Sequence, residues 1–195
     1  MRLSVKLWSG KAAVASGIGS RSIGPSSSSI CTRKTSVSEI SAYHEAGHAF
    51  MAYYVGARIQ SITIEPDWDD GPERLADIRV EWPIDQMSQR EFHEKSVLVA
   101  LAGPAAEMID TGDPFHPGLV PEWTADWKLA WTAAEPLFPD ERKRLQHLEQ
   151  VAVELYRLLS EDRHWAALAA VVDNLLAHET MEGEEVEDVL GEWLG

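Results

Sequence analysis

The sequence predicts an α+β domain that is predominantly helical, with a small strand pair beside its first helix and a helical bundle at its C-terminal end. Two observations predict this fold. Apolar residues recur at helical spacing in an early segment and again through most of the chain after residue 88. Between these regions lies a short stretch in which apolar and polar residues alternate, which is typical of a strand with one buried face.

The chain divides near residue 36. Residues 1–35 are basic, rich in serine and free of acidic residues, and they contain few large apolar side chains. This composition predicts a disordered tail, followed by a folded domain over residues 36–195. We expect a cytoplasmic protein. The same composition is also typical of an organelle transit peptide, so the alternative is a mitochondrial or chloroplast protein in which the tail is a targeting segment.

The first helix is predicted over residues 37–55, behind a serine–glutamate capping box. Gly56 follows its last apolar position, where a left-handed glycine ends a helix. Residues 58–64 are short and β-branched, and residues 78–82 alternate between apolar and charged side chains. These two segments are expected to pair as an antiparallel hairpin or to be near neighbours in a small sheet.

The remainder of the chain is predicted to be helical. A second capping box at Ser88 begins a helix that runs to about Asp110, with Gly112 as its stop. The later helices are expected at residues 122–135, 140–159, 161–178 and 184–194.

Charge and composition exclude several classes of function. The formal net charge is −15, and the acidic residues all follow the basic N-terminal segment, so nucleic-acid binding by the folded part is not expected. No apolar run reaches the ~18–20 residues of a membrane-spanning helix, so no membrane span is expected. Cys31 is the only cysteine, which excludes an intramolecular disulfide and a four-cysteine zinc site. The composition is compatible with an oligomer.

One motif in the first helix carries chemistry, His44-Glu45-Ala46-Gly47-His48. Residues four apart share a helix face, so both imidazoles can reach one metal ion. Glu45 is rotated by about 100° from His44 and is suited to take a proton from a metal-bound water. A catalytic zinc ion has three protein ligands and keeps its fourth position for that water. The motif therefore predicts a zincin-like helix and a zinc-dependent hydrolase.

The third ligand must come from elsewhere, because no third histidine or glutamate follows at zincin-type spacing. The candidates are Glu107, Glu122 and Asp126, and residue type alone does not choose between them. His116 lies in the segment between them and is a minor candidate for substrate contact. The histidines without a partner at ligand spacing are expected to be ordinary surface residues: His93, His147, His164 and His178.

Four segments in the same order resemble the peptidase domain of the FtsH family of membrane-bound, ATP-dependent zinc metalloproteases. They are the His44–His48 motif, Leu-Ala-Gly-Pro-Ala-Ala-Glu at 101–107, Thr-Ala-Asp-Trp-Lys-Leu-Ala at 124–130, and the tail at 179–190. The histidine motif alone occurs in many metallopeptidase families, whereas the four in order are much more specific. The resemblance runs from about residue 36 to the C-terminus.

The resemblance implies that His44, His48 and Asp126 bind zinc and that Glu45 is the catalytic base. It also implies a mainly helical domain with a small strand pair beside the active site. Local context agrees with the choice of Asp126. Glu107 sits late in a helix, where it can more easily hold His44 or His48 in the right tautomer than bind the metal, and Glu122 lies at the expected helix start, where a carboxylate is favourable without a metal.

The chain departs from the family in three ways. It has no phosphate-binding loop of an ATPase and no membrane helices, and Ala102-Gly103-Pro104 replaces the usual Gly-Gly-Arg. Without its own motor, the domain is expected to cut only peptides or unfolded protein segments, independently of ATP, or to work with an AAA-type ATPase in trans.

The sequence thus predicts a zinc metalloendopeptidase in which a zinc-bound water, deprotonated by Glu45, attacks the peptide bond. The substrate is expected to lie extended along an exposed strand edge of the Arg58–Trp82 region. The alternative is a catalytically silent or regulatory metal-binding adaptor that docks on a separate ATPase, although a purely structural metal needs no base such as Glu45. A third possibility is a different metal-dependent hydrolase on the same helix pattern.

Overall fold

The computed structural model describes residues 3–9, 37–65, 76–112 and 123–195. In these residues the protein is mostly helical with one small antiparallel sheet, as predicted from the sequence. No helix in the described ranges is long and apolar enough to cross a membrane. The elements are β1 (Leu3–Ser9), α1 (Val37–Tyr54), β2 (Arg58–Thr63), β3 (Ala76–Trp82), α2 (Gln89–Thr111), α3 (Thr124–Ala134), α4 (Glu141–Leu159), α5 (Asp162–His178), β4 (Thr180–Glu182) and α6 (Gly183–Leu194).

The helix boundaries follow the capping signals in the sequence. Gly56 and Gly112 have φ angles of 78° and 74°, the left-handed conformation predicted for glycines that end α1 and α2. The Ser88 hydroxyl accepts a hydrogen bond from the Glu91 amide at 3.1 Å and so caps the start of α2. The one shift that concerns the candidate ligands is in α3, which begins at Thr124 rather than residue 122.

The sheet has the order β1-β3-β2-β4, and every neighbouring pair is antiparallel. The pairing of β2 with β3 confirms the predicted strand pair. The two outer strands were not predicted. β4 is only three residues long and pairs with Ser61–Thr63, so it is too short to show a period in the sequence.

The structure differs from the expected disorder of residues 1–35 over Leu3–Ser9, which form β1 and pair with the whole of β3. Leu3, Val5 and Leu7 alternate with more polar residues, a pattern compatible with a strand. A seven-residue segment gains stability as a strand only from a partner, and that partner lies about seventy residues further along the chain. Residues 10–36 lie outside the described part of the chain.

The expectation of an exposed strand edge in the Arg58–Trp82 region is wrong. The outer edge of β3 is covered by β1 along its full length. The outer edge of β2 is covered by β4 and then by α6, whose Glu187 carboxylate accepts a hydrogen bond from the Ile59 amide at 3.0 Å. Neither strand therefore offers a peptide an open edge in this structure.

Helix α1 lies at the centre of the fold, between α2, α5 and the sheet. It approaches α2 very closely, because Gly47 faces the α2 backbone. A Cβ atom added at Gly47 would lie 2.5 Å from the Ala102 carbonyl oxygen and 2.7 Å from the Ala106 Cβ. The three C-terminal helices share this single core, since α4 packs on α2, α5 on α1, and α6 on α5 and β2.

Gly183, the first residue of α6, lies close to the backbone of β2, and it provides a test of the fold. A Cβ atom added there would lie 1.8 Å from the Ile59 carbonyl oxygen. Because backbone must move to accept it, we expect Gly183→Ala to destabilise the protein by about 1–3 kcal/mol. Thermal unfolding should show this as a decrease in Tm of ~2–4 °C per kcal/mol.

Gly191→Ala is the matched control for Gly183→Ala, because both glycines lie in α6. Its added Cβ would meet only the Tyr53 hydroxyl, at 3.3 Å, at the end of a side chain that can move. Equal Tm values for the two variants would contradict the close packing of α6 on β2.

Candidate metal centre

Three buried side chains from two helices converge on one point. His44 and His48 lie on one face of α1, and Asp126 lies in the first turn of α3. The two Nε2 atoms are 3.1 Å apart. Asp126 Oδ2 lies 3.1 Å from Nε2 of His44, and Asp126 Oδ1 lies 3.5 Å from Nε2 of His48. The structure thus brings together the three residues that the sequence analysis named as metal ligands.

Hydrogen bonds on the far side of each ring define the tautomers. Nδ1 of His48 lies 2.7 Å from the carbonyl oxygen of Val99, which can only accept, so this nitrogen carries the proton. Nδ1 of His44 likewise donates to the Glu107 carboxylate at 2.9 Å. In the neutral rings, both Nε2 lone pairs therefore point into the same small space. Two facing lone pairs repel each other unless a cation lies between them.

The donor set fits a metal ion of the size of zinc. Zinc binds imidazole nitrogen and carboxylate oxygen at ~2.0–2.2 Å, which places tetrahedral ligand atoms about 3.3 Å apart. Here the two Nε2 atoms are 3.1 Å apart, and each lies near a different oxygen of Asp126, at 3.1 Å for His44 and 3.5 Å for His48. One ligand atom from each of the three residues lies within 4.8 Å of the other two. In addition, Asp126 Oδ1 is buried and has no hydrogen-bond partner among the described residues. A buried carboxylate oxygen without a donor is costly, and a metal ion would satisfy it.

The electrostatics of the protein alone show how strongly the site favours positive charge. Burial by itself would lower the pKa of His44, but hydrogen bonds to Asp126 and Glu107 outweigh burial and raise this pKa well above its ordinary value. Burial would raise the pKa of Asp126, yet the neighbouring His48 and His44 hold it below its usual value. The aspartate therefore stays ionised, which is the state that binds a metal ion.

Glu45 lies beside this triad and is completely buried. It is not one of the three converging residues, since the next position on a helix is rotated by about 100°. Its charge helps to raise the pKa of His44, which shows that the carboxylate lies within electrostatic reach of the centre. A buried carboxylate beside a metal-ligand set is placed to accept a proton from a nearby water.

The structure separates two of the three candidates for the third ligand. Glu107 lies behind the His44 ring, on the Nδ1 side, and is therefore not part of the converging set. It also accepts a hydrogen bond from the indole N–H of Trp123 at 2.9 Å, so the carboxylate orients His44 and is itself held in place. Glu122 and His116 lie outside the described residues.

Sequence reasoning missed two contributors to the site. The carbonyl group that orients His48 belongs to the backbone of Val99, and the valine side chain gives no indication of this role. Gly103 lets the His48 ring lie against α2, because an added Cβ would be 2.3 Å from Nε2. The only signal for it was the glycine retained in Ala102-Gly103-Pro104, beside a proline that departs from the family pattern.

One of the remaining histidines is not an ordinary surface residue as expected. The side chain of His164 is only 13% exposed, and its Nδ1 lies 2.8 Å from the Leu158 carbonyl oxygen. Its ring also contacts Phe50 and Tyr54 edge to face. His164 therefore belongs to the packing between α5 and α1, at the end of α1 away from the motif.

No protein-family model matches this chain, and none of the curated proteins matches it either. The geometry of the His44, His48 and Asp126 cluster is therefore the main physical support for a function.

The different positions of Asp126 and Glu107 give a direct test of the ligand set. Asp126→Ala removes an atom that faces the metal position, whereas Glu107→Ala removes only the acceptor behind His44. Loss of such an outer-shell partner costs about 10–100-fold in metal affinity. We expect Asp126→Ala to cost considerably more, as measured by titration against a competing chelator. Retention of metal by Asp126→Ala and its loss by Glu107→Ala would refute the assignment.

Gly103 provides a second test, in which no polar group is removed. In Gly103→Ala, the new Cβ would overlap the His48 ring, and we expect the ring to tilt and the metal affinity to fall. The measurement is the same chelator competition, with circular dichroism as a check on the helices. Gly191→Ala again serves as control, and parental metal affinity in Gly103→Ala would show that the ring position is not constrained by α2.

Proposed function

We propose that this protein is a zinc-dependent endopeptidase of the FtsH peptidase type, with a zincin-like motif helix. The observation that carries the proposal is the convergence of two imidazoles and a carboxylate within 3.5 Å of one another, beside a buried glutamate. The resemblance of the four sequence motifs to the FtsH peptidase domain supports the same conclusion and supplies the reaction type.

The proposed metal is zinc, and its ligands would be His44, His48 and Asp126. Imidazole and carboxylate ligands suit a catalytic zinc site with three protein ligands. The same donor types also occur in non-haem iron sites, so elemental analysis of the purified protein tests this part of the proposal. We expect about one zinc per chain, and stoichiometric iron in its place would contradict it.

When bound, zinc would polarise the scissile carbonyl group and make a coordinated water more acidic. The remaining steps would be carried out by groups of the protein itself. Glu45 accepts the proton of the attacking water and returns it to the leaving amine, so that the glutamate is regenerated. Glu107 and the Val99 carbonyl keep both histidine rings in the orientation that directs Nε2 toward the centre.

The proposed substrates are peptides and unfolded segments of proteins, cut without ATP. An AAA-type ATPase acting in trans would extend this range to folded proteins. The second candidate, a regulatory metal-binding adaptor, needs the metal ligands but not Glu45. Glu45 lies buried beside the proposed ligands, where a general base is needed and where a purely structural metal needs no carboxylate beyond its ligands.

Glu45→Gln tests the catalytic step, because the amide is nearly isosteric with the carboxylate and cannot accept the proton. We expect the variant to keep its zinc and fold while hydrolysis of casein falls by ~10²–10⁴-fold, the usual contribution of a general base. Casein is a suitable substrate because it is unfolded and needs no motor.

Two controls accompany the Glu45→Gln measurement. Activity of the parent should disappear with a chelator, return with zinc, and be unchanged by ATP. A Glu45→Gln variant that cleaves casein at the parental rate would remove Glu45 from the mechanism. A parent protein that binds zinc and cleaves neither casein nor a peptide library would favour the adaptor.

A further inference from the structure

The N-terminal strand occupies a position that the sequence analysis assigned to a substrate. β1 pairs with β3 through seven consecutive antiparallel partners, from Leu3↔Trp82 to Ser9↔Ala76. Extended peptides are bound in the same way by many proteins, through main-chain hydrogen bonds to an open strand edge. In this chain, that edge is filled from within.

β1 also contacts the two helices that carry the residues of the candidate metal centre. It contacts α1, which carries both histidines, and α3, which carries Asp126. The outer edge of β2 is covered by β4 and α6, as described above. Among the described strands, β3 is therefore the one whose outer edge is covered by β1, so this edge would open if β1 left the sheet.

We propose that the outer edge of β3 is the peptide-binding edge of this protein, and that Leu3–Ser9 occupies it as an internal competitor. The inference rests on the proposed function in its choice of an extended peptide as ligand. In this arrangement, the chain is self-inhibited, and a substrate pairs with β3 only after β1 has left.

The connection between β1 and the domain makes this competition effective. Residues 10–36 join Ser9 to α1. A segment of the same chain competes with free peptide at a fixed effective concentration, whatever the concentration of the protein. A weakly pairing peptide is therefore excluded, whereas a segment that pairs more strongly with Ala76–Trp82 than β1 does can displace β1. The competitor is an outermost strand with one neighbour, so its release breaks a single set of strand hydrogen bonds.

A reversible disulfide across the β1–β3 pair tests the proposal. Lys6 and Arg79 are direct partners, and partners in an antiparallel pair have Cα atoms ~4.5–5.5 Å apart, which suits a disulfide. The locked variant is Lys6→Cys with Arg79→Cys in a Cys31→Ser background, which leaves no other cysteine. We expect the oxidised protein to lose hydrolysis of casein and to regain it when a reductant is added.

The matched control places a disulfide in the same sheet without holding β1. Thr63 and Thr180 are partners between β2 and β4, and their hydroxyl oxygens are 2.7 Å apart. Thr63→Cys with Thr180→Cys, also in the Cys31→Ser background, should hydrolyse casein equally well when oxidised and reduced. This control separates release of β1 from a general effect of oxidation or of a stiffer sheet.

A binding measurement keeps the inference separate from catalysis. The probe is a fluorescein-labelled peptide with the sequence of Leu3–Ser9, and the protein variants also carry Glu45→Gln so that the peptide is not cut. We expect no binding to the oxidised lock and weak binding to the reduced one, because β1 still competes with the peptide in the reduced protein. We also expect tighter binding by Val5→Pro with Lys6→Pro, because adjacent N–H groups point to opposite sides and one proline removes a bond to β3.

The outcomes distinguish failure of the inference from failure of the proposed function. If the oxidised lock binds the peptide as tightly as the reduced form, the peptide uses another surface, such as the outer edge of β1, and the inference is wrong. Absence of binding to every variant, including the double proline variant, also overturns it. If peptide binding follows the lock while no variant hydrolyses casein, the binding edge stands and the peptidase function fails.

Discussion

The close approach of α1 to α2 is the constraint on which the rest of the site depends. Gly47 allows the two helices to meet backbone to backbone, and Gly103 leaves room for the His48 ring. At this distance, the α2 carbonyl of Val99 and the α2 carboxylate of Glu107 reach the outer nitrogens of the two histidine rings. A wider separation would leave both rings buried without acceptors and free to rotate. The helix packing therefore decides where the Nε2 lone pairs point.

Charge also favours the position of α3, whose first turn places Asp126 beside the two histidines. Two imidazoles with facing lone pairs attract a cation or a proton, and Asp126 supplies, from the first turn of α3, the carboxylate that balances this positive charge. That position is favourable for an acidic residue even without a metal, because the helix dipole is positive at its N-terminus. The argument applied to Glu122 in the sequence analysis thus applies to Asp126, since α3 begins two residues later than expected. Dipole, imidazoles and burial act on one carboxylate together.

The sequence correctly predicted those parts of the structure that are determined by neighbouring residues in the chain. A period of 3.6, a capping box and left-handed glycines located α1 and α2, and the His44–His48 spacing correctly placed both imidazoles on one side of α1. The missing parts depend on contacts between distant segments. β1 and β4 are strands because of partners elsewhere in the chain, and the Val99 carbonyl matters only because α2 lies on α1. The identity of a residue does not indicate which distant segment packs against it, so these features could not be predicted from sequence patterns.

The strand β1 contacts α1 and α3, the helices that carry the candidate metal ligands, so the covered edge of β3 is relevant to the site. An open edge on β3 would expose unpaired main-chain groups, and exposed edges invite pairing with any extended chain. β1 satisfies those groups from within and contacts both ligand-bearing helices. In the proposed competition, displacement would favour segments that pair more strongly with β3 than Leu3–Ser9 does, because β1 already pairs with every residue of β3.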